Sequence, residues 1–169
     1  TLLEPFDLGS VSDGRLPPEG VHLILEAEKP AYADRGRYLA DPAFVSIPAG
    51  LTDPAYLADR RKLIDPARSM APPPPGMPPG VAKRAYGADA THETTGTSHL
   101  SVIDADGNAV AMTTTIEGVF GSGVMAAGFL LNNELTDFSF LPTDAEGQPI
   151  ANRVEGGKRP RSTMSPTIV

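Results

Sequence analysis

Apolar side chains recur at helical spacing directly after a turn-like run at residues 17–20. The positions i, i+3, i+4 and i+7 are occupied by Val21, Ile24, Leu25 and Glu28. This spacing places the four side chains on one face and predicts a helix that residues 17–20 open. Pro30 has no backbone N–H to donate, so we expect the helix to kink or end there.

A second helix is predicted from Asp53 to Leu63. Asp53 is a residue type that accepts hydrogen bonds from the free N–H groups at a helix start, and Pro54 suits the first helical position. Residues 1–70 are therefore predicted to form a helical region.

The composition changes at residues 71–96. Residues 71–80 (APPPPGMPPG) predict an extended, polyproline-like linker. We interpret it as a spacer in preference to a proline motif that binds a partner. The small and polar residues at 91–96 (THETTG) predict a mobile, solvent-accessible loop.

From residue 97 the pattern predicts β-structure, so residues 97–169 form a third, β-rich region. A hairpin is predicted around the polar run at residues 104–108, because alternating positions precede it at Leu100, Val102 and Ile103 and follow it at Val110, Met112 and Thr114. Residues 129–131 (FLL) predict a short strand, with a polar cluster at 132–137 and a loop at 138–161 after it. Residues 166–169 predict the beginning of another strand, so we expect the chain to be a segment of a longer protein.

The composition excludes several classes of protein. The chain has 169 residues, of which 40% are hydrophobic and 21% charged, as in globular domains. Its net charge of −7 disfavours binding to nucleic acid or to an anionic membrane surface, and no apolar run approaches the roughly 20 residues that span a bilayer. The absence of cysteine excludes disulfides, thiolate metal ligands and a thiol nucleophile.

Two patterns that resemble metal sites have simpler explanations. Residues 104–108 begin like a calcium loop, but the glycine stands at the fourth position and not at the sixth, so a hairpin turn is the better interpretation. Structural or surface roles are expected for the scattered histidines, His22, His92 and His99. We therefore expect no metal and no cofactor.

A glycine-rich run at residues 121–126 (GSGVMA) fits a relaxed dinucleotide-binding pattern. No amphipathic helix is predicted after it, so we expect the glycines to allow close approach of the backbone to a neighbour or a ligand. The chain also lacks the Gly-x-Ser-x-Gly elbow of α/β-hydrolases.

The residues with the clearest chemical potential are Gly96 and Thr97, where a loop meets a strand. A Thr hydroxyl is a weak nucleophile unless a base lies beside it, and the α-amino group of an N-terminal Thr is such a base. Thr97 would reach that state by cleavage of the bond to Gly96, whose missing side chain leaves the carbonyl open to attack.

The chain resembles γ-glutamyltransferases (γ-glutamyltranspeptidases) over nearly its whole length, most weakly in the proline-rich segment. The matching motifs downstream of Gly96 are residues 97–102 (TSHLSV), 106–110 (DGNAV), 113–115 (TTT), 120–121 (FG), 130–133 (LLNN), 137–139 (DFS), 158–160 (KRP) and 164–169 (MSPTIV). Residues 26–29 (EAEK), 31–35 (AYADR) and 38–42 (YLADP) are similar to the end of the family's large subunit. The resemblance implies an α+β fold, the αββα sandwich of N-terminal nucleophile hydrolases, made from a zymogen by autocatalytic cleavage into two subunits.

By this resemblance, Thr97 is the first residue of the small subunit and both the autoprocessing and the catalytic nucleophile. Its hydroxyl would attack the Gly96 carbonyl during processing and γ-glutamyl amides during catalysis, giving an acyl-enzyme that water or an amino acid resolves. Thr115 matches the Thr whose hydroxyl supports the amine of the nucleophile.

The resemblance also implies a substrate site. Glu134 and Asp137 match acceptors for the substrate α-ammonium group, and Ser162 and Thr163 match donors to its α-carboxylate. Without the flanking motifs, Glu134 and Asp137 would be interpreted as turn residues. Glu117 stands where the family typically has Asn, and this further carboxylate would either tighten binding of an ammonium group or repel the α-carboxylate and change specificity.

Other departures concern the surroundings of the site. Thr163 replaces a second Ser, and residues 138–161 contain no Tyr, so the aromatic lid described for some members is missing and the site is expected to be more open. The family's oxyanion-hole glycine pair should follow Val169, and its carboxylate-binding Arg should precede Thr1. The 169-residue piece is therefore expected to be inactive by itself.

Three functions fit these observations. The preferred one is hydrolysis of glutathione or related γ-glutamyl amides, or transfer of the γ-glutamyl group to an amino-acid or peptide acceptor, in a periplasmic or extracellular location that the family suggests. A glutaryl or cephalosporin acylase of the same fold is the nearest alternative, and Glu117 keeps it open. A non-catalytic homologue that never matures is the third, and it is disfavoured because Thr97, Thr115, Glu134, Asp137 and Ser162 are all present.

Overall fold

The computed structural model describes residues 1–81, 86–92 and 96–164. The strand predicted at residues 166–169 lies outside the described residues. The helices are α1 (Pro18–Tyr38) and α2 (Pro54–Arg61), the strands are β1 (Thr97–Ile103), β2 (Ala109–Thr115), β3 (Met125–Ala126) and β4 (Phe129–Leu130), and short 3-10 helices span Ala49–Thr52 and Glu134–Asp137. The order of helices followed by antiparallel hairpins confirms an α+β chain.

Helix α1 continues through Pro30, so of the two expected outcomes, a kink or an end, the helix does not end there. An interior proline costs about 3 kcal/mol in an isolated helix, but contacts on both sides of Pro30 hold this one together. Before it, Leu23 and Ala27 pack on Ile64 in a buried cluster. After it, Asp34 and Tyr38 are buried and hydrogen-bonded.

The buried face of α1 also differs from the one that the apolar spacing indicates. Val21 and Leu25 are 43% and 53% exposed, whereas Glu26 is only 2% exposed. The Glu26 carboxylate accepts hydrogen bonds from the Lys29 ammonium group, the Ser69 hydroxyl and the backbone N–H of Met70. Saturation with donors allows a charged side chain to occupy this interior position.

Helix α2 begins as predicted, because the Asp53 carboxylate accepts hydrogen bonds from the backbone N–H groups of Ala55 and Tyr56. Its buried side chains point at the proline-rich segment. Arg60 donates to the carbonyl of Pro74 and forms an ion pair with Asp34 of α1 at 3.2 Å.

The proline-rich segment at residues 71–80 forms neither helix nor strand, and it is held against the helices. Gly76 donates its N–H to the Asp34 carboxylate and accepts a hydrogen bond from the Tyr38 hydroxyl. A side chain at Gly76 would lie 2.2 Å from the Tyr56 hydroxyl oxygen, so only glycine fits this approach. Burial raises the pKa of the Tyr56 phenol, and its hydrogen bond to the Asp34 carboxylate raises it further.

Strands β1 and β2 form the predicted antiparallel hairpin. The register places Val102 opposite Val110 and Thr97 opposite Thr115. The connection is a turn, as predicted: the Asp104 carboxylate accepts hydrogen bonds from the backbone N–H groups of Asp106 and Asn108. The register therefore brings the first residue of β1 beside the last residue of β2.

The glycine-rich run leads into the small β3–β4 hairpin, so no helix follows it, as predicted. A side chain at Gly121 would lie 2.1 Å from the backbone oxygen of Leu131, so the expected close approach of backbone segments is also confirmed. After β4, the chain enters the 3-10 helix at Glu134–Asp137.

The long loop at residues 138–163 is fastened to the end of α1. Ala151 packs with Ala40 and Val45 in a second buried cluster. The Arg159 guanidinium forms two hydrogen bonds with the Asp41 carboxylate, and these bonds hold the pKa of Asp41 well below its ordinary value. Within the part of the chain that the structure describes, no helix is long and apolar enough to cross a membrane.

Candidate active site

The end of α1, the start of β1, the end of β2 and the long loop surround one cleft of about 960 Å³. Most site residues predicted from the sequence line it. They are Gly96, Thr97, Thr115, Glu117, Asp137, Ser162 and Thr163. Glu134 does not line the cleft directly, but its carboxylate lies beside two that do.

The peptide bond between Gly96 and Thr97 joins two residues that line this cleft. The Thr115 hydroxyl donates a 2.7 Å hydrogen bond to the carbonyl oxygen of Gly96, and it accepts one of 2.7 Å from the backbone N–H of Glu117. The donor on the carbonyl withdraws electron density from the carbon that a nucleophile would attack. The cross-strand pairing of Thr97 with Thr115 is the structural reason for this contact.

Gly96 is required by a second close approach. A Cβ at this position would lie 1.7 Å from the backbone oxygen of Glu117, where no side chain fits. Glu117 has a φ of 68°, which is a left-handed conformation that non-glycine residues rarely adopt. The strained backbone at Glu117 and the glycine at position 96 therefore belong to one local arrangement.

Three carboxylates gather on one side of the cleft. Those of Glu117, Glu134 and Asp137 have oxygens within 4.8 Å of one another, with Glu117 buried and the other two half-buried. Like charges at this separation repel one another unless a cation or a proton lies between them. The cluster therefore suits a cation, either a metal ion or an organic ammonium group.

The hydroxyls of Ser162 and Thr163 are carried by a well-fastened piece of chain. Arg161, just before them, donates its backbone N–H to the amide oxygen of Asn152, whose side chain is fully buried. Asn152 in turn donates to the backbone carbonyl of Asp137 at 2.6 Å. This chain of hydrogen bonds fixes the hydroxyl pair relative to the carboxylate cluster.

The sequence analysis missed the residues that form the rest of the cleft wall. Tyr32 and Arg35 of α1 contribute to it, with the Arg35 guanidinium 5.5 Å from the centre of the Tyr32 ring, and so do Asp89 and His92 of the loop before Gly96. Tyr32 and Arg35 could have been predicted, because residues 31–35 form a motif that resembles the family. Asp89 could not, because Ser139 and Arg161, which bind it, are distant in the sequence.

The other two histidines have the structural roles expected of them. His99 shares hydrogen bonds with the hydroxyls of Thr113 and Ser101, and His22 with the backbone carbonyl of Asp65. Neither ring faces the cleft.

Comparison with known proteins identifies the family. A sequence model of the family described as gamma-glutamyltranspeptidase matches residues 1–169. The chain is 41% identical to the glutathione hydrolase proenzyme of Escherichia coli strain K12 over 99% of its length, and 45% identical to that of Pseudomonas aeruginosa over 88%. It covers 28% and 26% of these two relatives, or about a quarter of their length.

A solved structure shows the same fold. The chain is similar to the cephalosporin acylase from Bacillus halodurans, with a TM-score of 0.61, 27% sequence identity, and coverage of 86% of this chain and 23% of that one.

Proposed function

Because the chain belongs to the γ-glutamyltranspeptidase family and has the α+β fold of N-terminal nucleophile hydrolases, we propose that the protein cleaves γ-glutamyl amides such as glutathione. The activity is that of a γ-glutamyltransferase and glutathione hydrolase. One observation carries the proposal: the Gly96–Thr97 bond lies in a cleft with a hydroxyl on its carbonyl and a carboxylate cluster nearby.

The first reaction is self-cleavage. The Thr97 hydroxyl oxygen attacks the Gly96 carbonyl carbon, the bond from that carbon to the Thr97 nitrogen breaks, and the hydroxyl proton ends on the nitrogen. The product is an ester between Gly96 and the Thr97 side chain. Water then hydrolyses the ester, leaving a carboxylate on Gly96 and a free amino group on Thr97. The Thr115 hydroxyl, which donates to the carbonyl oxygen before cleavage, stabilises the negative charge that develops there.

The second reaction uses the amino group that the first has released. The Thr97 amine accepts the hydroxyl proton while the oxygen attacks the γ-carbonyl of the substrate, and it returns that proton to the departing amine. The γ-glutamyl group is then held as an ester. Water resolves it in hydrolysis, and an amino acid or peptide resolves it in transfer. The Thr115 hydroxyl, freed from the Gly96 carbonyl, supports the new amine.

Two sets of residues recognise the two charged groups on the α-carbon of the substrate. The carboxylates of Glu134 and Asp137 accept hydrogen bonds from the α-ammonium group, and Glu117 adds a third negative charge to the same side. The hydroxyls of Ser162 and Thr163 donate to the α-carboxylate. With the α-carbon of the substrate anchored by these two groups, its side chain extends the γ-carbonyl towards Thr97.

The proposal has consequences for assembly. Residues up to Gly96 belong to a large subunit and residues from Thr97 to a small one, and the two stay together through the contacts between α1 and the long loop. An extracytoplasmic location is part of the proposal and is tested by fractionation of cells that produce the tagged protein.

The test is intact mass under denaturing conditions with N-terminal sequencing of the complete precursor. We expect two chains, the second beginning Thr-Ser-His-Leu-Ser, and we expect Thr97→Ala to abolish cleavage. Thr114→Ala, which removes the neighbouring hydroxyl of the same hairpin, serves as the matched control and should cleave normally. A folded wild-type precursor that stays in one piece after long incubation would contradict the proposal and favour a non-catalytic homologue.

The acylase alternative is favoured by one observation, the similarity to a cephalosporin acylase structure over 86% of the chain. Amides of glutamate, of glutarate and of a cephalosporin side chain separate the two activities. A γ-glutamyl transferase needs the α-ammonium group, so removing it should lower kcat/KM by about 10²-fold or more, as loss of a charged hydrogen-bonded group does. Equal kcat/KM for glutamyl and glutaryl amides would show that the protein is an acylase.

A further inference from the structure

Asp89 is a buried acidic residue in the loop that precedes Gly96. Its carboxylate forms an ion pair with Arg161 at 3.3 Å, and the two side chains are only 2% and 6% exposed. It also accepts hydrogen bonds from the Ser139 hydroxyl and from the backbone N–H of Thr91. Burial raises the pKa of Asp89, but these hydrogen bonds and the charge of Arg161 outweigh burial and lower it below the ordinary value, so the group is charged at neutral pH.

Arg161 is a fixed partner for this carboxylate. Its guanidinium donates to the backbone carbonyls of Arg35, Gly36 and Leu39, which lie at the end of α1. Carbonyls at a helix end have no partner within the helix and attract a positive charge. The guanidinium therefore connects α1 and the loop before Gly96 to the segment that carries Ser162.

Further contacts follow Asp89 along the chain. The Thr91 hydroxyl accepts a hydrogen bond from the backbone N–H of Phe140, and both Thr91 and His92 line the cleft together with Gly96. The segment upstream of the bond to be cleaved is thus tied to residues downstream of it. The bond itself is tied at its carbonyl by Thr115.

From these contacts we infer that Asp89 is a positioning residue for self-cleavage: paired with Arg161, it holds the loop so that the Gly96 carbonyl stays within reach of the Thr97 hydroxyl. The inference rests on the proposed function, because it needs cleavage at this bond. It assigns a role to a residue that touches neither the nucleophile nor the substrate groups. Small displacements of a reacting bond lower rates steeply, so a positioning contact has a large kinetic effect.

The test is the first-order rate constant of cleavage in the complete precursor, measured by intact mass after purification of the uncleaved form. We expect Asp89→Asn, which keeps the shape but removes the charge facing Arg161, to slow cleavage about tenfold, in line with the loss of a charged hydrogen bond. Asp144→Asn is the matched control: Asp144 also accepts a hydrogen bond from this loop, at the N–H of Ala88, but the described residues place no buried cation beside it. Its rate should stay within about twofold of wild type.

Two further measurements separate positioning from a general structural role. Once Asp89→Asn has been cleaved completely, its kcat for a chromogenic γ-glutamyl anilide should fall by a much smaller factor than its cleavage rate, even though loss of the buried pair lowers its unfolding midpoint in urea. A cleavage rate equal to wild type, or a slow rate accompanied by an equal loss of kcat, would overturn the inference.

A third variant covers the case in which Asp89→Asn does not fold. Ser139→Ala removes one donor to Asp89 without changing a charge, and it should slow cleavage by a smaller factor in the same direction. An unchanged rate for that variant overturns the inference. A wild-type chain that never cleaves overturns the proposed function instead.

Discussion

The helical region and the β1–β2 hairpin are held in place by different kinds of contact. In the helices, buried charged groups have several partners, as at Asp34, which binds Arg60, Tyr56 and Gly76. In the hairpin, backbone register aligns the strands, while Val102 and Val110 are each 56% exposed. Thr97 is therefore placed by strand register, and the opposite wall of the cleft is placed by buried polar contacts.

The largest effect that would sharpen this contrast is loss of the Asp34 carboxylate. Asp34→Ala leaves Arg60 buried without its partner, which costs about 3–5 kcal/mol. Asp59→Ala is the control, since Asp59 and Lys62 form a pair that is 71% and 75% exposed, and such pairs contribute about 0–1 kcal/mol. Denaturant unfolding measures the free energy of unfolding of both variants. Equal losses would show that the buried pair contributes no more to stability than the exposed one.

The second effect compares apolar side chains in the 169-residue chain. Leu23→Ala empties a buried site in the helical region and should lower the free energy of unfolding by about 2–5 kcal/mol. Met112→Ala in the hairpin removes a side chain that is 46% exposed, and it should cost about 0.5 kcal/mol. A loss at Met112 as large as that at Leu23 would mean that another surface covers the hairpin.

The smallest effect is a pH dependence in the helical region. The hydrogen bond from Lys29 is the largest of the causes that lower the pKa of Glu26 from 4.5 to about 2 in the folded chain. A depressed folded pKa contributes stability above the unfolded pKa of 4.5, and this contribution is lost as pH falls towards 2. The difference in unfolding free energy between wild type and Glu26→Gln should be constant above that range and shrink within it. A difference that does not change with pH would contradict the assignment.

Local chemistry made the hairpin and α2 predictable from the sequence. Asp104 closes its turn with hydrogen bonds to backbone only a few residues away, and Asp53 does the same for the start of α2. The path of α1 through Pro30 could not be predicted, because the contacts that compensate for the proline come from Ile64 and Gly76, which are distant in the sequence.

The candidate site divides in the same way. Chemistry at a loop–strand boundary made Thr97 a candidate, and the family resemblance gave it a role. The convergence of Glu117, Glu134 and Asp137 was expected only from the resemblance, because Glu134 and Asp137 by themselves would be interpreted as turn residues. The pairing of Asp89 with Arg161 had no signal, since nothing in either segment indicates that a loop and the end of α1 share one guanidinium. Contacts between segments that are distant in the sequence form the wall of the cleft. Such contacts could not be predicted from the sequence alone.

The hydrogen bond from Thr115 to the Gly96 carbonyl gives the proposed self-cleavage an infrared signature. A hydrogen-bonded amide carbonyl absorbs at lower infrared frequency than a free one, and carbon-13 at Gly96 would separate this single oscillator from the rest of the backbone. Cleavage turns the amide into a carboxylate and removes the band altogether. Time-resolved infrared spectroscopy of the labelled precursor would then follow cleavage of the Gly96–Thr97 bond directly, without a substrate or a dye.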